Sequence, residues 1–98
     1  MKLQVLTYQR EDKWFAIGLE HGVYAQAATL PAVISGFLDA LALQIIFDQG
    51  EGYEALSDMP PAPEEFWERY RQSPFHLTID LPIPTEAQDF VPEIRVAA

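Results

Sequence analysis

The sequence predicts an α+β fold, a two-layer sandwich in which one long helix covers an antiparallel sheet. Three observations predict it. Alternating segments rich in β-branched and aromatic residues open the chain and recur near its end. Between them an apolar stretch repeats at the helical period. The third is punctuation: six of the eight prolines fall between Leu56 and Pro84, four of them between the long helix and the last clear strand.

Lys2 to Gln9, "KLQVLTYQ", alternates as an opening strand. "REDK" is a charged turn. Trp14 to Glu20 then places Phe15, Ile17 and Leu19 on one face and Trp14, Ala16 and Gly18 on the other. His21–Gly22 is a short connection with a glycine free to take positive φ. "VYAQA" is a brief third strand, which completes an antiparallel meander.

Thr29 is suited to cap a helix, and Pro31 falls in the first turn, where its missing N–H costs nothing. The helix runs from about Leu30 to about Gln49, with Gly50 and Gly52 as the stop signal. Leu30, Val33, Ile34, Phe37, Leu38, Leu41 and Ile45 share its core face. Ala32, Gly36, Ala40, Leu43 and Phe47 form a second stripe. Two readings of that stripe stay open: the C-terminal segment packs there, or Gly36, Ala40, Leu43 and Phe47 build an oligomer interface.

"YEALSDMPPAP" is a stiff, polyproline-like loop. Glu64 to Gln72 is a short helix, with Glu64 and Glu65 in its first turn and Arg69 and Arg71 in its last, as the helix dipole favours. Phe66 and Tyr70, four apart, anchor one side. "FHLTIDL", from Phe75, is the clearest half-buried strand, with Phe75, Leu77, Ile79 and Leu81 inward. Residues 85–98 read as a proline-punctuated tail behind a domain spanning 1–84. "FVPEIRV" is expected at most as an edge strand, because Pro92 bars it from a central position.

The chain has 98 residues, no cysteine, and 15 acids against 6 bases for a formal charge of −9. A disulfide framework and a thiolate metal site are excluded. An acidic surface repels nucleic-acid phosphate and steers toward basic partners, so direct nucleic-acid binding is not expected. No signal peptide is read at the start. The apolar stretch Leu30–Phe47 is interrupted by Pro31, Ser35, Asp39 and Gln44, which fits a buried helix rather than a membrane span. A cytoplasmic protein is expected.

Catalytic constellations are missing from the pattern. His21 sits in a turn and His76 on the solvent side of a strand, and no serine lies in a glycine-rich elbow. No metal-ligand spacing, phosphate loop or dinucleotide fingerprint occurs, and the adjacent acids Glu11–Asp12 and Glu64–Glu65 diverge from each other. The expectation is a non-enzyme without metal or cofactor.

The acidic turn with its aromatic, Glu11–Asp12–Lys13–Trp14, the Ala28–Thr29 start of the amphipathic helix, and a proline-rich "MPPAP" leading to "LTIDLP" together resemble the HicB family of antitoxins. The resemblance spans about residues 1–84. It departs from the family in Glu20–His21–Gly22, where "PGC" is usual, and in leaving too little chain after Pro84 for the family's DNA-binding domain. Operator binding is therefore not implied. What the resemblance implies is an acidic interaction module that neutralises a basic, RNA-directed protein.

The contact residues expected for that partner are Glu11, Asp12, Trp14 and Glu20 on the hairpin, and Glu64, Glu65, Trp67 and Glu68 on the short helix. Two alternatives stand beside it. One is a small homo-oligomeric structural domain, with a homodimer on the second stripe. The other is a small-molecule site on the sheet face near Trp14 and His76.

Overall fold

The computed structural model describes residues 2–78 and 83–97. Its elements are β1 (Lys2–Arg10), β2 (Lys13–Gly18), β3 (Tyr24–Ala27), α1 (Leu30–Gly50), α2 (Glu64–Gln72), β4 (Phe75–Leu77), a 3-10 turn at Thr85–Ala87 and β5 (Val91–Val96). The five strands form one sheet in the order β3-β2-β1-β5-β4. The meander is as predicted: β1 pairs antiparallel with β2, and β2 with β3. The class is α+β, with the long helix packed on the sheet.

The C-terminal segment corrects the sequence reading. Residues 91–96 are no tail. They form β5, which runs parallel to β1 from Lys2↔Val91 to Thr7↔Val96 and separates β1 from β4. The sheet is therefore mixed rather than purely antiparallel. Pro92 is accommodated by the alternation of backbone groups. The Ala97 N–H donates to the Thr7 carbonyl of β1 (2.8 Å), so every second residue back along β5 directs its N–H toward β1. Pro92 falls on the other side, where the described pairing with β4 ends at Leu77↔Ile94. Its missing N–H costs the β1–β5 ladder nothing.

Of the predicted strand "FHLTIDL", the described residues show β4 over Phe75–Leu77. Among the described residues it pairs with β5 alone, and Phe75 remains 59% exposed because an edge strand has cover on one side only. Ile79, Asp80, Leu81 and Pro82 lie outside the described residues.

α1 follows the prediction closely. The Thr29 Oγ1 accepts the Ala32 N–H at 3.2 Å and closes the N-terminus. Val33, Ile34, Phe37, Leu38, Leu41 and Ile45 are buried against Leu3, Val5 and Ala16 of the sheet, and Ile94 joins them from β5. Leu30 packs at the margin of the same core. By length and composition α1 would suffice to cross a bilayer, but in the fold its apolar face is spent on the sheet.

The proline loop then takes the chain across the strand ends. The Gly22 N–H donates to the Pro60 carbonyl and the Ala62 N–H to the Leu19 carbonyl, both at 2.9 Å. The chain thereby leaves the α1 face and reaches the opposite one. There α2 packs with Tyr70 and Ala62 buried against Leu6 and Leu19, while Tyr8, Ile17, Phe66 and Trp67 fill in around them. β1 consequently has apolar cover on both faces, which is why its burial is nearly continuous from Leu3 to Thr7.

A buried carboxylate sets the start of that loop. Asp48, 1% exposed, accepts from the Gln44 side-chain amide (3.0 Å) through Oδ1 and from the Leu56 N–H (2.8 Å) through Oδ2. Leu56 is fully buried at φ 63°, a left-handed conformation that a branched side chain adopts only under constraint. The Asp48 bond and the surrounding core supply that constraint. Asp48→Ala leaves the buried Leu56 N–H and the Gln44 amide without their acceptor, and should cost roughly 2–3 kcal/mol in chemical denaturation. Gly18 is tight for a different reason. A Cβ there would stand 2.5 Å from the His21 carbonyl oxygen. Gly18→Ala must shift the backbone of the β2–β3 connection, and a loss of about 1–3 kcal/mol is expected by the same measurement.

Candidate interaction surface

The predicted contact residues divide between those the fold consumes and those it leaves free. Trp14 packs against the α1 side of the core. The Glu20 Oε1 accepts the Gln4 N–H at 2.8 Å, continuing β1 where its ladder with β2 ends. The Trp67 Nε1–H donates to the Ala62 carbonyl at 3.1 Å and locks α2 to the proline loop. These three support the fold internally and remain partly exposed. Their side chains are amphipathic or long enough to satisfy a nearby backbone group, and sequence spacing does not reveal such a partner.

The remaining five are exposed. Glu11 and Asp12 form the β1–β2 turn at φ 53° and 64°, the paired left-handed geometry that matches strand twist. Glu64 pairs with Arg71 at 2.8 Å, an exposed contact of little energetic weight. Glu65 and Glu68 are exposed on α2. Glu65 and Arg10 line one shallow cleft, which brings α2 close to the turn end of β1. Glu20 lies at the far end of β2. His21 is partly buried and His76 exposed.

The second stripe of α1 also divides. A Cβ on Gly36 would meet the Ala25 side chain at 4.0 Å, and Ala40 packs at the core margin, so both belong to the contact with β3. Both remain partly exposed. Leu43 (67%), Ile46 (47%) and Phe47 (59%) stay exposed. The 3-10 turn does pack on α1, burying Ala87 and Phe90, but it leaves those three uncovered.

Asp39, Leu43, Phe47 and Glu51 are spaced four apart and make one ridge, apolar in the middle and acidic at both ends. Asp39 and Glu51 are exposed. The charge around the ridge is one-sided. From Trp14 to Glu68 the sequence holds nine carboxylates and no lysine or arginine. That gap is visible without a structure and is the signal a reading of total charge passes over. All six cations lie on β1, β2, α2 or β5.

Arg71 and Arg95 are engaged at α2. The Arg95 guanidinium lies 4.6 Å from the centre of the Tyr70 ring and donates to the Tyr70 carbonyl at 3.1 Å. The Tyr70 hydroxyl donates to the Glu93 carbonyl at 3.0 Å. Among the described residues, no group of three His, Asp or Glu is placed to share a metal ion. Comparison with protein-family models, with curated proteins and with solved structures gives no match to this chain.

Burial raises the Tyr70 hydroxyl above its ordinary value of 10.0, and the nearby Arg95 charge only partly opposes this. The neutral phenol is the form the fold favours. Stability from it is complete below pH 10 and is lost as pH rises through the higher folded-state value. Tyr70→Phe should cost about 1 kcal/mol at pH 7 and flatten the decline above pH 10, read from thermal unfolding across a pH series.

Proposed function

We propose that this chain is a non-enzymatic binding module that docks a basic protein on the exposed α1 ridge. The supporting observation is the ridge itself: Leu43, Ile46 and Phe47 exposed between Asp39 and Glu51, within a stretch of chain, Trp14 to Glu68, that holds no lysine or arginine. Apolar anchors flanked by one sign of charge suit a partner helix with apolar knobs and lysine or arginine beside them. An antitoxin-like role, in which the chain occupies a basic RNA-directed protein in the cytoplasm, is the specific form implied by the resemblance to HicB antitoxins.

Charge also weighs against the competing occupants. Symmetric antiparallel pairing of two copies about the middle of the ridge sets Asp39 of one opposite Glu51 of the other. No basic residue is at hand to neutralise the pair, and like charges brought together at an interface are costly. An anionic membrane surface is repelled for the same reason.

The test uses chemical crosslinking in extract of the native host, with wild type beside the double variant Leu43→Lys, Phe47→Lys. Both positions are exposed, so the variant should unfold at the wild-type temperature. Wild type is expected to sediment as a monomer and to capture a protein of strongly basic composition. Purified, that protein should bind wild type and lose about a hundredfold or more in affinity for the variant. A wild-type dimer that the substitutions dissociate, flotation with anionic vesicles, or a captured partner indifferent to the substitutions each overturns the proposal.

A further inference from the structure

Three of the six basic residues gather at one place on the opposite side of the sheet. Arg10 ends β1, Lys13 begins β2 directly across from it, and Arg69 projects from α2. Of the other three, Lys2 pairs with Glu93 at 3.3 Å, Arg71 pairs with Glu64, and Arg95 donates to the Tyr70 carbonyl at 3.1 Å. Among the described residues Arg10, Lys13 and Arg69 form no ion pair. In a chain of net charge −9, a cluster of cations without carboxylate partners is unusual.

Beneath them lies an aromatic floor. Tyr8 stacks on Phe15 with centroids 5.2 Å apart and planes 13° from parallel, and Phe66 approaches Tyr8 at 6.0 Å. The Arg69 guanidinium sits 4.7 Å from the centre of the Tyr8 ring. Tyr8, Gln9, Arg10, Glu65, Phe66 and Arg69 line a cleft of about 260 Å³ between β1 and α2. The fold supplies both walls rigidly. One is the central strand, and the other is a helix fixed by the Trp67 and Tyr70 hydrogen bonds.

We propose that this cleft binds a small aromatic monocarboxylate, its ring against Phe66 and its carboxylate between Arg69 and Arg10. Each feature contributes to that choice. A planar guanidinium donates two parallel hydrogen bonds to a carboxylate, which a lysine cannot do. The aromatic floor favours a flat apolar body. The volume falls below the usual range for drug-sized ligands, so a single ring or a fused pair is the size that fits. Glu65 in the wall opposes a second negative charge, which disfavours a phosphate dianion. The site is separate from the α1 ridge, on the other face of the sheet.

The test is amide-detected NMR titration of the full chain with benzoate, indole-3-acetate, neutral benzamide and inorganic phosphate. Benzoate or indole-3-acetate should shift amides of residues 8–10 and 65–69 with a millimolar or tighter Kd, and added salt should weaken the effect. Benzamide and phosphate should bind at least about tenfold more weakly than the better acid. Arg69→Gln should cost about tenfold or more, whereas Arg71→Gln, whose cation already has a partner, should change little. Both positions are exposed on α2, and an unchanged amide spectrum elsewhere reports that each variant folds. Absence of shifts up to about 10 mM of either acid, equal binding of benzamide, tighter binding of phosphate, or an indifferent Arg69→Gln overturns the assignment.

Discussion

The parallel pairing of Val91–Val96 with Lys2–Thr7 holds the molecule together. Without it β1 would be an edge strand, and the meander of β1, β2 and β3 would expose a full row of backbone donors and acceptors. With it β1 becomes central, hydrogen-bonded on both sides and covered on both faces. Thr7 marks the depth of that burial. It is fully buried, and its hydroxyl donates to the Arg95 carbonyl of β5 at 3.1 Å, a link between residues 88 positions apart. The first and last strands thus complete each other, and contacts of such separation carry a loop-closure entropy cost that slows folding.

That closure makes the path between the two helices consequential. α1 must stay on the face of Leu3 and Val5, and α2 must reach the face of Leu6 and Tyr8. The segment between them rounds the end of the sheet. Asp48 holds its beginning, Leu56 is pressed into the core in a left-handed conformation, and Pro60 and Ala62 join the backbone of residues 19–22. Stiff prolines limit the conformations this crossing has to lose on folding.

The crossing also divides charge. Everything from Trp14 to Glu68 lacks a cation, and most of that stretch is α1 and its loop. The strands and α2 carry the arginines and lysines. One side of the molecule therefore shows an apolar ridge bounded by acids, and the other an aromatic floor rimmed by guanidinium groups. A single figure for net charge conceals both, since their fields partly cancel at a distance but act separately at contact range.

The local pattern of the sequence determined the meander, the cap at Thr29, the extent of α1 and its core face, and the dipole-matched ends of α2, because each depends on residues within one or two turns of each other. The absence of cations between Lys13 and Arg69 was equally legible there. Tertiary structure alone decided the place of β5, because strand pairing across nearly the whole chain leaves no local signal and Pro92 argued against it until its backbone direction was known. It likewise decided which side chains remain free. Trp14, Glu20 and Trp67 look like surface contacts in a list of residue types, yet each meets a neighbour supplied by packing or by a distant backbone group, and only folding brings that neighbour within reach.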